Sequence, residues 1–136
     1  MIKLNIQKLN KNIVFNFKTL KVKQGLLNQK TREEKQMKIY ISGKITGDKR
    51  YKTKFREAER RLQAEGHTVL NPANQPAGLR PADYMRVCFA MMETADVVLF
   101  LQDYQESKGA MLEWAWCQYV GKPACYDLAA FGGGQK

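Results

Sequence analysis

"DVVLFLQDYQESKGAMLE", residues 96–113, decides the fold. Its first seven residues, "DVVLFLQ", form a nearly continuous apolar run, as a strand buried on both faces requires. "GAMLEWAWCQYVG", residues 109–121, then reads as a helix stopped by Gly121. A buried strand that turns into a helix is half of a parallel crossover unit. At the join, "SKGAMLE" places Ser107 and Gly109 in the turn and a lone carboxylate, Glu113, in an apolar helix start. The plain reading is a helix start with one solvated carboxylate; the sharper reading is a site.

The alternation continues outward. "KIYISG", residues 38–43, is a β-branched and aromatic run that reaches a turn at Gly43. "KRYKTKFREAERRLQAEG", residues 49–66, repeats Phe55, Ala58 and Leu62 on one helical face and ends at Gly66. "HTVLNP" is a second short strand, closed by Pro72 and followed by the Pro- and Gly-rich loop "ANQPAGLRP". "ADYMRVCFAMMETA", residues 82–95, is a helix with Tyr84, Val87, Cys88 and Met91 on one side and Pro81 at its first turn. "KPACYDL" is the last strand and "FGGGQK" a loose end. This order predicts an α/β fold: a small doubly wound, Rossmann- or flavodoxin-like parallel sheet of four or five strands with helices on both faces. Three parts are expected: a basic extension over residues 1–36, disordered or a weak hairpin; a folded domain over 37–128; and a flexible tail over 129–136.

Charge supports that division. The chain of 136 residues carries a net charge of +10. Residues 1–36 hold nine Lys and Arg against two acids, so +7 falls there and only +3 on the remaining hundred residues. The body is therefore no basic groove, and nucleic acid is not an expected partner. Cys88, Cys117 and Cys125 lie far apart without CxxC spacing, which suggests reduced thiols in a cytoplasmic setting. His67 is the only histidine, so triad chemistry has little to work with, and no cluster of ligands suggests a metal. No apolar run approaches the roughly 20 residues needed to span a bilayer.

In a doubly wound sheet, ligands bind outside the carboxyl ends of the strands. Two loops fall there: "SGKITGD" after the first strand and "QESKGAMLE" after the third. Helical side chains lean back over the preceding turn, so Glu113 should cover Gly109 and Ala110. The helix dipole should favour its ionised form, and Ser107 with the amides of Lys108 to Ala110 should suit an anion. Tyr40, inside the first strand, is placed to hydrogen-bond Glu113. Gly43 and Gly47 allow the backbone to approach a ligand closely.

Taken together, "KIYISGKITG", "NPA", "DYMRVCFAMMETADVVLFL" and "SKGAMLEWAW" with "GKP" resemble the DUF4406 family, common in phages and prophages. That family belongs to the nucleoside 2-deoxyribosyltransferase superfamily, and the resemblance covers about residues 37–128. The chain is also similar, more distantly, to the 2'-deoxynucleoside 5'-monophosphate N-glycosidases. The resemblance implies that Glu113 is a nucleophile attacking the anomeric carbon and that Tyr40 orients it. It implies that Ser107 and Gly109 contact phosphate and that Gly43, Ile45 and Gly47 line the first loop. The nucleoside transferases have an Asp at the position of Ser107, which points this chain toward a nucleotide. Where the active enzymes carry a catalytic Asp on the second helix, this chain has Cys88. Asp83 lies on another face, which leaves Asp103 and Glu106 as the substitutes at hand; Lys44 is a candidate phosphate contact, with a plain exposed turn lysine as the alternative, and Arg80 and Tyr84 flank the long loop.

Three readings follow. One is an enzyme that hydrolyses or transfers the N-glycosidic bond of a deoxynucleoside or its monophosphate, without a cofactor and, by analogy, as a homo-oligomer. The second is a non-catalytic nucleotide-binding protein on the same fold. The third is an interaction protein acting through its basic arm.

Overall fold

The computed structural model describes residue 26 and residues 36–131. Apart from Leu26 and Gln36, the extension expected over residues 1–36 lies outside the described residues, as does the chain from 132 onward.

Four strands and three helices alternate. They are β1 (Lys38–Ser42), α1 (Tyr51–Ala64), β2 (Thr68–Leu70), α2 (Pro81–Thr94), β3 (Val97–Phe100), α3 (Lys108–Val120) and β4 (Ala124–Cys125). Each lies inside or within one residue of the stretch that predicted it. The strands pair in parallel in the order β2-β1-β3-β4, with Ile39 opposite Val97 and Ser42 opposite Phe100 at the centre. This is the doubly wound α/β fold expected from the alternation.

The sheet separates two cores, and the period of two along each central strand explains how. Ile39 and Ile41 of β1, with Val97 and Leu99 of β3, pack against Phe55, Ala58 and Leu62 of α1. Tyr40 of β1, with Val98 and Phe100 of β3, packs instead with Cys88 and Met92 of α2 and Cys117 of α3. Helices thus cover both faces, and the central strands read as apolar runs because both faces are buried.

Local chemistry sets the helix ends. Ser107 caps α3 by accepting the Ala110 amide at 3.2 Å on its hydroxyl oxygen. Gly121 ends α3 at φ 74°, a left-handed conformation that suits glycine. Asp83 accepts the Arg80 amide at the start of α2, at 3.3 Å.

The structure corrects the expected end of the domain. Residues 129–131 belong to a 3-10 turn, Leu128–Phe131, and do not form a loose tail. The Phe131 ring is buried in the α1-side core, edge-on to His67, and its carbonyl lies 3.3 Å from the imidazole. An aromatic anchor was hidden there by the glycines that follow it.

Candidate active site at the switch point

The strand order reverses between β1 and β3, and ligands of such sheets bind in the crevice beyond that point. β1 ends in the buried Ser42 and Gly43, and β3 leads through Leu101 to Asp103 and a short 3-10 turn, Tyr104–Glu106. α3 then begins at Lys108 and carries the buried Glu113 in its second turn.

Tyr40 and Glu113 meet as the sequence suggested. The Tyr40 hydroxyl donates to Glu113 Oε1 at 3.1 Å, and both side chains are buried, Tyr40 completely and Glu113 to within 6 %. Burial raises the Tyr40 pKa well above its ordinary value, with the charge of Glu113 adding to the effect, so the phenol stays a donor. Burial also raises the Glu113 pKa, to about 7, against the opposing hydrogen bonds of Ser42 and Tyr40. The dipole does not keep this carboxyl strongly ionised, contrary to expectation. Glu113 is six residues into α3, beyond the first turn where the dipole is felt, and desolvation prevails.

Three buried polar atoms lack a hydrogen-bond partner among the described residues: Glu113 Oε2, Ser42 Oγ and Gln75 Oε1. The Ser42 hydroxyl is close enough to favour the ionised Glu113, although it makes no well-aligned bond. Gln75 donates from Nε2 to Cys88 Sγ at 3.3 Å, and Cys88 in turn adjoins Tyr40. Buried polar groups left open cost stability, so three around one pair of side chains mark a place built for something other than stability. Cys88 itself is 7 % exposed, and its thiol pKa is raised, first by burial, so it is held neutral.

The remaining residues singled out in the sequence occupy the rim in different ways. Gly43 is at a close approach: a Cβ there would lie 3.0 Å from Leu101 Cδ1 and 3.2 Å from Asp103 Oδ1. Gly47 has φ 80°. Ile45 packs, partly buried, against the α1-side core. Lys44 gives its backbone amide to Asp103 Oδ1 at 3.1 Å. Ser107 spends its oxygen on the helix cap and keeps its hydroxyl hydrogen to donate. Gly109 has space, since a Cβ there would meet only Ser107 Oγ, at 3.8 Å.

Of the two candidate substitute acids, Glu106 is exposed on the 3-10 turn and only Asp103 is engaged. Asp103 binds Lys54 and the Lys44 amide. Asp83 binds Arg80 at 2.9 Å, and Tyr84 donates to the Pro76 carbonyl at 2.7 Å. Sequence reasoning missed Gln75 and Lys54. Gln75 sat unremarked in a loop read for its Pro and Gly, and Lys54 was one of five cations on α1.

The two glycines make opposite forecasts. Gly43→Ala is expected to force the β1 and β3 loops apart and to lower stability by about 1–3 kcal/mol. Gly109→Ala, in the first turn of α3 with open space beside it, is expected to be neutral or to stabilise by up to about 1 kcal/mol. Urea unfolding of both variants checks the pair.

The sequence profile of DUF4406, a domain of unknown function, matches residues 37–126. The chain belongs to the DUF4406 family. No curated protein matches this DUF4406 chain. Among solved structures it is similar to a 2-deoxyribosyltransferase from the psychrotolerant bacterium Bacillus psychrosaccharolyticus, with a TM-score of 0.52 and 23 % identity. The likeness covers 64 % of this chain and 69 % of that one and shows a shared fold. Among the described residues of the DUF4406 domain, no helix is long and apolar enough to cross a membrane.

A groove of about 740 Å³ opens between α1, residues 99–103 at the end of β3, and residues 126–129, with Lys54 and Asp103 in its lining. It contains neither Tyr40 nor Glu113, and none of the three open polar atoms lines it. Size alone does not make it the site.

Proposed function

We propose that this protein cleaves the N-glycosidic bond of a deoxynucleoside or its 5'-monophosphate through Glu113. The observation that carries the reading is a buried carboxyl with one oxygen held by Tyr40 and the other open, under the crevice where β1 and β3 part.

In the first step Glu113 Oε2 attacks the anomeric carbon of the deoxyribose. The carbon–nitrogen bond breaks, and the base departs with the bonding electrons and takes up a proton from water. The sugar is left esterified to Glu113. Water, or a second base, then attacks the same carbon and frees the carboxylate. Water gives hydrolysis and a base gives transfer. Tyr40 holds the carboxyl in place through Oε1, and the Ser42 hydroxyl favours its ionised form. Ser107 and the open amides at the start of α3 suit a 5'-phosphate. The Gln75 amide, fixed on one side by Cys88, offers its free atom to the polar edge of a base.

Cys88 supports a second reading, a nucleotide-binding protein without turnover. A neutral buried thiol donates a proton to a departing base poorly compared with a carboxylic acid.

One assay separates the two. Purified protein is incubated with each deoxynucleoside and each monophosphate, and free base is followed by chromatography beside Glu113→Ala. Base release that disappears in the variant is the expected result. Calorimetric binding without release from any of them would establish the second reading.

A further inference from the structure

Lys54, on α1, joins the two loops that frame the crevice. Its ammonium donates to the Lys44 carbonyl at 2.9 Å and to Asp48 Oδ2 at 2.7 Å, both on the β1–α1 loop. Its third partner is Asp103, on the β3–α3 loop, and Asp103 also accepts the Lys44 amide at 3.1 Å. The staple closes where Gly43 lets the loops touch, since any Cβ there would press on Asp103 Oδ1 at 3.2 Å. Lys54, Asp48 and Asp103 are each about three-quarters buried, so this is a partly desolvated cluster and not a surface pair. Burial works against the ammonium, but the two carboxylates outweigh it and the charge is kept.

Two carboxylates on loops meant to receive a phosphorylated ligand would repel it. One ammonium between them leaves the cluster at one net negative charge where there would otherwise be two, and it ties the loops together. We infer that Lys54 is a positioning residue that sets the preference for a 5'-monophosphate over the free deoxynucleoside, by offsetting one of the two charges of Asp48 and Asp103 while fixing the two loops. The inference rests on the reading of this crevice as a nucleotide site. A lysine that only held the fold would affect both ligands alike, whereas a charge effect separates them, because only the monophosphate is anionic.

The test is calorimetry on the full chain with the four deoxynucleosides and their 5'-monophosphates. Lys54→Gln is expected to weaken monophosphate binding about tenfold and nucleoside binding less than twofold at low salt. Asp48→Asn, whose amide oxygen can still accept the Arg50 amide, is expected to strengthen monophosphate binding severalfold. The double variant, Asp48→Asn with Lys54→Gln, restores the wild-type cluster charge and should return the ligand ratio toward the wild-type value. At about 1 M salt these differences should shrink. Equal losses for both ligands in Lys54→Gln, or an unchanged monophosphate affinity, overturn the inference and leave the nucleotide-site reading standing. If Lys54→Gln does not fold, Asp48→Asn decides alone, and no gain for the monophosphate overturns it. A wild-type chain that binds neither ligand class overturns both readings at once.

Discussion

Glu113→Gln should melt higher than the wild-type chain at pH 8 and release no free base. The carboxyl titrates at about 7 in the folded protein against an ordinary 4.5, because burial penalises its charge. The folded chain therefore binds this proton more tightly than the unfolded one. The advantage is complete below pH 4.5 and is lost as the pH rises toward and through 7. Moving a carboxyl pKa by that much corresponds to about 3 kcal/mol. At pH 8 the wild-type chain keeps an ionised carboxylate buried at that cost, and glutamine, neutral at every pH, does not. The variant should be more stable by about 3 kcal/mol at pH 8, with the difference vanishing toward pH 4.5. Urea titrations at both pH values measure it. A variant no more stable at pH 8 would mean that Glu113 is not held under this penalty.

In the proposed reaction the same proton governs the chemistry. The proposed nucleophile is the ionised form, so in the wild-type chain base release should climb about tenfold between pH 6 and pH 8 and level off above. Glu113→Gln keeps the shape and the Tyr40 contact but cannot form the ester, and a loss of four orders of magnitude or more is expected. Stability gained while turnover is lost is the mark of a residue kept for function.

How much of this was legible in the sequence depends on the kind of signal. The sheet was legible because Val97, Val98, Leu99 and Phe100 form an unbroken apolar run, and only a strand covered on both sides tolerates that. The pairing of Tyr40 with Glu113 followed from placing Tyr40 in the first strand and Glu113 on the helix that follows its neighbour, and the ordered motifs of the family sharpened it. The protonation of Glu113 was not legible, since it depends on how deep α3 lies beneath Phe100 and Tyr40, which no spacing encodes. Lys54 was hidden for another reason. Its partners are six, ten and forty-nine residues away, and a lysine among Lys52, Arg56, Arg60 and Arg61 looks like one more solvated charge. Ile45 went the other way, because its place in a loop said nothing about which side of the sheet it would turn to.

Cys88→Asp is expected to raise base release by about two to four orders of magnitude, the usual contribution of a well-placed proton donor. Cys88 lies among Tyr40, Gln75 and the field of Glu113, so a carboxyl in its place would sit beside the nucleophile in a site with little water. Two carboxyls so placed cannot both ionise easily, and one proton is shared between them. The arrangement suits the proposed reaction, in which Glu113 would attack as the anion while the introduced carboxyl still has a proton for the departing base. The rise with pH seen for the wild-type chain should become a bell, because one group must be charged and the other not. A stability loss of about 1–3 kcal/mol is expected from the extra buried polar group. Cys88→Asn, similar in size but without a transferable proton, separates shape from chemistry and should give no gain. If the folded Cys88→Asp chain shows neither the gain nor the bell, Cys88 does not limit turnover. If both appear and Cys88→Asn gives neither, the wild-type thiol limits turnover through its poor proton donation, and the fold around it remains competent for cleavage.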